Sequence, residues 1–413
     1  MMKNAALLTA LLPLMVACNS NDKQSAGNTD SVQTSSAQEL ALPAPDTNAT
    51  KSKFSKVIGW PEGKIPVAPA GFTVTKFAEK IKNPRNIYIA PNGDILVALS
   101  SANTILLFRD TNDDGKPDVQ SAFLTGLNQP YGVLIIGSSF FVANTDGIWR
   151  FPYKTGDTKI AEKGTKILEL PAGGYNNHWT RNLIANEANS KIYVSIGSGS
   201  NVAENGMENE KRRANILEIN PDGSGEIIFA SGLRNPVGMA WAPGTKALWT
   251  AVNERDGLGD DLVPDYITSV KKGAFYGWPY SYFGQHEDPR LKGQRADLVK
   301  SAVVPDIAVG AHTATLGLTF YTHNKFPAKY QGGAFIGQHG SWNRSELVGY
   351  KVAFIPFKAG VKSGEMEDFL TGFIADLDKG EVYGRPVGVA VAKDGALLVA
   401  DDGSNTIWRV AVK

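Results

Sequence analysis

The chain is poor in the features that most often fix a function. Its 413 residues hold a single cysteine, Cys18, so disulfides are excluded as a source of stability. No apolar run approaches the ~20 residues that a membrane-spanning helix needs. Charge of one sign is missing too: with Lys3 of the N-terminal leader set aside, 41 basic residues face 41 acidic ones. A body without a basic excess has nothing to neutralise a phosphate backbone, which excludes nucleic acid as a partner and suits a small neutral substrate. Helical periodicity is also scarce.

What is present starts at the N-terminus. Lys3 gives a positive start, Ala5 to Leu14 form a short apolar stretch, and Met15-Val16-Ala17 leads into Cys18. This is the pattern of a secretory signal over residues 1–17. A cysteine directly after the small residue is similar to a bacterial lipobox, in which Cys18 becomes the lipidated first residue; an ordinary signal peptide is the alternative. The expectation is an exported periplasmic or cell-envelope lipoprotein that meets the membrane by its lipid alone. Residues 19–50 are rich in Ser, Asn, Asp, Thr, Gln and Ala. Such a stretch buries too little surface to offset its ordering entropy, so residues 18–53 are expected to be a flexible polar tether. The folded body is expected over 54–413.

Within the body one phrase recurs: a short loop, an apolar strand, a tight turn and a second apolar strand. It begins at Asn83-Pro84-Arg85-Asn86, at Asn128-Gln129-Pro130-Tyr131-Gly132 and at His178-Trp179-Thr180-Arg181-Asn182. It returns at Leu233-Arg234-Asn235-Pro236-Val237-Gly238, at His312-Thr313-Ala314-Thr315-Leu316-Gly317 and at Gly384-Arg385-Pro386-Val387-Gly388. Six copies about 46 to 80 residues apart predict an all-β, six-bladed β-propeller, with insertions such as Gln285 to Ala302 in the wider intervals.

In a propeller, the loop entering each innermost strand and the loop leaving the second strand open on one face. The entering loops carry Arg85, Gln129, His178, Arg181, Arg234, Asn235, His312 and Arg385. The leaving loops carry Asn253 to Asp256, Gln338-His339-Gly340 with Trp342 and Arg344 behind, and Asp401-Asp402. Singly, each has a structural reading, as a hydrogen-bonding histidine or as turn chemistry. Together they place three of the five histidines and a cluster of arginines at one mouth. Buried arginines are costly without anionic partners, and fixed acids are few in these loops, so a bound polyanion is the expected counter-charge.

The run from Leu233 to Gly238, followed by AVNERDGLGDDLVPDYI and by Tyr276-Gly277-Trp278-Pro279, resembles the glucose/sorbosone dehydrogenase family. GQHGSWNR and ERDGLGDDLVPD place the likeness nearer its sorbosone-dehydrogenase-like branch. The resemblance implies a six-bladed propeller that oxidises a sugar with pyrroloquinoline quinone (PQQ) and Ca²⁺, and passes electrons to an external quinone or cytochrome. It implies His178 as the base that takes the substrate hydroxyl proton, and Arg234 with Asn235 against the dione edge. Arg385 would meet a quinone carboxylate, and Gln129 and Arg181 would belong to the same cofactor shell. Carbonyls near Arg255 and Asp256 would hold Ca²⁺. Two positions depart from the soluble glucose dehydrogenases. Gln338-His339-Gly340 stands where those have a cofactor-binding lysine, and Arg255-Asp256 stands where they have Gly-Pro. His339 or Arg344 is the expected replacement cation.

Asp110, Asn112, Asp114 and Asp118, with Gly115 between them, follow an EF-hand-type spacing and form a second candidate calcium site. No Glu closes it, since Ser121 stands there. The competing readings are a calcium-dependent lactonase on the same fold and a non-catalytic propeller that binds glycan or protein. Arginines and histidines in the loops, in place of carboxylates, count against the lactonase.

Overall fold

A computed structural model describes residues 40–48, 51–173 and 178–413. The signal segment and Cys18 lie outside the described residues. Those described are nearly all β, with a single short α-helix, Ala296–Ser301, in the fourth-sheet insertion. They hold six four-stranded antiparallel sheets. The first strand of each follows one of the six recurring loops: β1 Pro84–Ile89, β2 Gly132–Ile136, β3 Arg181–Ala185, β4 Pro236–Trp241, β5 Thr315–Phe320 and β6 Pro386–Val391.

The second strands explain the apolar runs. Ile95–Leu99, Ile192–Ile196, Leu248–Val252, Ala334–Gln338 and Leu397–Asp401 are buried at every position. Each sheet has another sheet on either face, so period-2 alternation gives way to continuous burial. Between consecutive sheets lies one apolar layer, such as Phe123, Phe140 and Phe151 between the first and second. Another layer, with Phe77, Ile87, Leu398 and Ile407, joins the sixth back to the first. Each such side chain contributes about 1.5–3 kcal/mol on burial. This is the arrangement of a β-propeller.

The six inner strands converge most tightly at their first residues. Gly317 shows why glycine recurs there: a Cβ on it would lie 2.1 Å from the Val387 carbonyl oxygen of the next inner strand. Gly238 meets the Leu316 carbonyl in the same way at 2.6 Å. In the first and third copies asparagine replaces glycine and reaches across instead. Asn86 Nδ2 donates to the Tyr131 carbonyl (3.1 Å), and Asn182 Nδ2 to that of Val237 (2.8 Å). A cavity of about 360 Å³ lined by all six inner strands lies on the side away from the entering loops.

The sixth sheet closes with a strand from the other end of the chain, Phe72–Glu79, paired antiparallel to Thr406–Val412. The segment before it departs from the tether expected up to residue 53. Leu42 packs against the fourth-sheet core, and Asp46 N donates to the Leu258 carbonyl (3.0 Å). Lys53 N donates to the Trp342 carbonyl (2.8 Å), and Lys56–Val57 pairs in parallel with Glu381–Val382. Composition alone hides this because KFSKVIGW, with its apolar residues, sits at the segment's end.

Candidate functional site

Entering and leaving loops meet at one end of the ring. The floor there is apolar, with Tyr131, Val237, Leu316 and Val387 buried together and Trp179 against them. Two polar groups stand around this floor.

The first is centred on His178. Its Nδ1 lies 3.1 Å from the Ser198 carbonyl oxygen and 2.9 Å from Ser198 Oγ. A carbonyl only accepts, so Nδ1 carries the proton and Nε2 keeps a lone pair. Burial, with the Arg234 charge added, pushes the imidazole pKa well below its ordinary value, so the ring is neutral. Among the described residues Nε2 has no partner. Gly197 allows the close approach of the neighbouring side chain: a Cβ there would meet Asn235 Oδ1 at 2.3 Å and His178 Cβ at 2.5 Å. Asn235 is buried, and its Oδ1 has no hydrogen-bond partner.

Arg234, also buried, is held on several sides. Nη1 donates to the Glu254 carbonyl (2.7 Å), Nη2 to Asn201 Oδ1 (2.8 Å), and Asp256 lies 3.4 Å away. Asp256 also faces His312 Nδ1 at 3.4 Å, while His312 Nε2 donates to the Gly259 carbonyl (2.9 Å). Burial opposes charge on His312, but Asp256 and the Gly259 carbonyl outweigh it and raise its pKa. The acceptors on its two ring nitrogens thus favour the charged form of His312, the opposite of the trend at His178.

The second group is centred on Asp402. It accepts from Arg85 Nη1 (2.6 Å) and His339 Nε2 (2.8 Å). Burial works against this carboxylate, yet His339 and Arg85 hold it well below the ordinary range. His339 goes the other way, pushed down to about 4 by burial and by Arg385. Arg385 differs from the other mouth arginines. Nε and Nη2 donate to the carbonyls of His339 and Gly340, both at 3.1 Å, and the guanidinium lies 5.5 Å from the Tyr350 ring centre. Among the described residues it has no carboxylate within ion-pair distance.

Several expectations are corrected here. The supposed shortage of acids is not found: Asp402 answers Arg85, Asp256 answers Arg234, and Asp261 answers Arg344 at 3.0 Å. Arg385, held by carbonyls and without a carboxylate among the described residues, keeps a charge that an anion can answer at the mouth. Arg344 joins the fourth and fifth loops and so is not a free replacement cation. Arg181 is fully buried and donates to the carbonyls of His178 (2.7 Å), Thr180 (2.9 Å) and Pro171 (2.8 Å). Its place is behind the His178 loop, not in a cofactor shell. Gln129 is at the rim, where its amide N–H meets Asn103 Oδ1 (2.9 Å) and its own side chain accepts from Thr145 (3.4 Å).

Arg255 turns away from the mouth. It is fully buried against Glu254 (2.9 Å), Asp288 (3.2 Å) and the carbonyls of Pro279 and Ser281. The Asp256 carbonyl accepts from Asn201 Nδ2 (3.0 Å) and Arg290 Nη1 (2.8 Å), which leaves it poorly disposed to a cation. The loop at Asp110, Asn112, Asp114 and Asp118 is closed by its own backbone amides. Gly115 N donates to Asp110 (2.7 Å), Lys116 N to Asp114 (2.8 Å) and Thr111 N to Asp118 (2.6 Å). Among the described residues no group of three or more His, Cys, Asp or Glu is arranged to hold a metal ion. Neither calcium expectation fits these residues.

Ser198 and Asn201 were missed in the sequence. They lie in the loop leaving the second strand of the third sheet, and the rule that found the other leaving loops applies equally to Gly197–Asn201. Trp60 is a further addition: its Nε1 donates to Asp401 (3.0 Å), whose other oxygen accepts from Arg385 N (2.7 Å).

Comparison with known proteins agrees with this architecture. A protein of Borreliella burgdorferi described as uncharacterized is 31% identical over 353 residues, covering 83% of this chain and 89% of its own. A pyrroloquinoline quinone-dependent pyranose dehydrogenase of Coprinopsis cinerea is 24% identical over 426 residues, covering 87% of this chain; the match spans 56% of that protein. The holo structure of a pyranose dehydrogenase PQQ domain from Coprinopsis cinerea superposes with a TM-score of 0.72 at 19% identity, over 87% of this chain and all of that one. A family model described as TrAA12-like matches residues 66–280 and 285–413. The chain belongs to the TrAA12-like family.

Proposed function

We propose that this chain is a six-bladed propeller, one blade for each four-stranded sheet, that oxidises a sugar with pyrroloquinoline quinone at the mouth. The relatives named as quinone-dependent sugar dehydrogenases support the reaction class. The observation that carries the reading for this chain is His178: a buried neutral imidazole with Nδ1 fixed by a carbonyl and Nε2 left as a base. The residues fit a planar polyanion. Arg385 holds donors that no protein carboxylate answers, which suits the anion, and the unpartnered amide oxygen of Asn235 beside the base suits an N–H or O–H donor.

The quinone, held by Arg385 and Asn235, would supply an ortho-dione as the hydride acceptor. His178 Nε2 accepts the hydroxyl proton of the sugar carbon, so hydride and proton leave together and a carbonyl or lactone remains. Arg234 is held facing the mouth by Asn201, Glu254 and Asp256 and supplies positive charge where negative charge develops. Arg385 and Asn235 orient the cofactor, and the apolar floor of Tyr131, Trp179 and Val387 excludes water. No step is assigned to Ca²⁺. We read the substrate as an aldose or a sorbosone-like aldehyde or hemiacetal, the electron acceptor as an external quinone or cytochrome, and the location as the cell envelope through Cys18.

Purified protein incubated with the quinone, with and without Ca²⁺, is expected to reduce a redox dye when given aldoses. Quinone-loaded protein that turns over no member of a sugar panel overturns the reading and favours a glycan-binding module. Lipid on Cys18 is read by mass spectrometry of the envelope-derived protein; an unmodified Cys18 overturns the anchor.

A further inference from the structure

Residues 40–48 and 51–60 lie ahead of the region matched by the family model, which begins at residue 66, yet they run along the mouth. They touch the Leu258 carbonyl beside His312's partner Gly259, then Trp342, then the Glu381–Val382 strand, then Asp401 behind Arg385. Val57 reaches the same place as Arg385: a Cβ on Gly403 would lie 3.1 Å from Arg385 Cγ and 3.3 Å from Val57 Cγ2. This segment thus forms a wall of the mouth.

On that wall two aromatic rings are left in water. Phe54 is 72% exposed and Trp342 43% exposed. They stack on each other, centroids 5.5 Å apart and planes 14° from parallel. The two segments are joined by a main-chain bond, Lys53 N to the Trp342 carbonyl (2.8 Å), and by a side-chain one, Asn343 Nδ2 to the Lys51 carbonyl (3.4 Å). Asn343 also accepts from Gly257 N (3.0 Å), next to Asp256 of the His178–Arg234 group. A rigid, exposed aromatic step beside a polar mouth marks a binding surface.

We propose that Phe54 and Trp342 form an outer sugar subsite, which stacks on the C–H face of one pyranose ring while the next ring of the same chain enters the mouth. This deepens, and rests on, the sugar-oxidising reading: the substrate class becomes an oligosaccharide oxidised at its terminal ring. Local charge favours a neutral occupant over an anionic lipid surface. Three lysines flank Phe54, and acids answer two of them: Lys51 acts on Asp260 and Lys56 Nζ pairs with Glu381 (3.1 Å), while Lys53 Nζ donates to the Leu377 carbonyl (2.5 Å). The ring surface that the stack leaves exposed suits a flat saccharide, which needs apolar contact on one side and water on its hydroxyl edges.

The test begins with full-chain protein free of quinone, titrated calorimetrically with glucose, maltotetraose and cellotetraose. One tetrasaccharide is expected to bind at least about tenfold more tightly than glucose, and Phe54→Ala and Trp342→Ala each to remove most of that advantage. Trp342→Phe, which keeps a ring, is expected to retain it, and thermal melts check that the variants fold. In the quinone-loaded enzyme the alanine variants are expected to raise KM for the tetrasaccharide with kcat unchanged, and to leave KM for the monosaccharide alone. Tetrasaccharides that bind no better than glucose, or alanine variants that bind as wild type, overturn the subsite. So does loss of binding to anionic phosphatidylglycerol vesicles, in the same variants, in place of any sugar effect. Tight tetrasaccharide binding that the variants abolish, in a protein that oxidises nothing, upholds the subsite and overturns the dehydrogenase reading instead.

Discussion

The two polar groups of the mouth use the same residue types to opposite ends. Around His178 and His312, one carboxylate, Asp256, is shared between Arg234 and a histidine, which it helps to charge. Around Asp402 the carboxylate is likewise shared between an arginine and a histidine, yet His339 stays neutral. Burial lowers the pKa of both rings; what differs is the neighbours. His339 lies among Arg385 and Arg85 with a single acid, whereas His312 has Asp256, the Gly259 carbonyl and Asp265 on its side. His178 has no carboxylate at all and is the most clearly neutral of the three. A histidine's role here is set by the count of acceptors and cations around it, not by its place in the loop.

The strongest way to break that comparison is His178→Gln. If the neutral ring is the base, sugar oxidation falls by about 10²- to 10⁴-fold while quinone binding is nearly kept. A stable, quinone-loaded variant with near wild-type turnover moves the base to another residue. The second test contrasts two arginines. Arg385→Ala is expected to weaken quinone binding by about 2 to 4 kcal/mol with little change in melting temperature, because no protein carboxylate is left unpaired. Arg234→Ala is expected to lower stability as well, since it strands Asp256 and unties Asn201 from the Glu254 loop. Equal quinone affinity in wild type and the Arg385 variant removes that residue from the site.

The third test reads the opposite signs of His339 and His312. Unfolded imidazole titrates near ~6.5, so His339, at about 4 when folded, makes the unfolded chain bind more protons and costs stability as pH falls between those values. His312 has a raised folded pKa; its contribution is full below ~6.5 and is lost as pH rises through that raised value. Relative to their effects at about pH 8, His339→Gln should therefore gain melting temperature near pH 5 and His312→Gln should lose it. Parallel pH profiles for the two variants would contradict the contrast. The smallest effect is expected at the Asp110–Asp118 turn. Its carboxylates already accept backbone amides, so adding Ca²⁺ or a chelator is expected to shift the melting temperature by less than about 1 °C. A calcium-dependent rise that Asp114→Asn abolishes would restore the metal site.

The fold was legible because its signal is local. Five of the six copies bring a Pro- or Gly-bearing loop, and all bring an apolar strand and a turn within a short stretch; five of the second strands are buried at every position because sheets cover both their faces. The glycines at 132, 238, 317 and 388 were visible as punctuation, while their reason, contact with the next inner strand, appears only in three dimensions. The location of the mouth was also legible, from the rule that entering and leaving loops share a face. What each arginine does there was not. Arg85 finds its acid 317 residues away at Asp402, and nothing in the Arg181 or Arg255 neighbourhood announces that those two point into the body. The N-terminal wall was hidden for another reason: its first residues read as low complexity, and the contacts that hold it lie hundreds of residues downstream.

The pairing of Phe72–Glu79 with Thr406–Val412 has a consequence for how the molecule comes into being. A chain that emerges from its N-terminus must carry Phe72–Glu79 as an unpaired edge until the partner strand, over 300 residues later, has been made. Five sheets complete themselves from consecutive segments, but the sixth waits. Closing the ring therefore cannot precede the synthesis of Thr406–Val412. Until it happens the open edge is the place where two unfinished molecules are most exposed to pairing with each other.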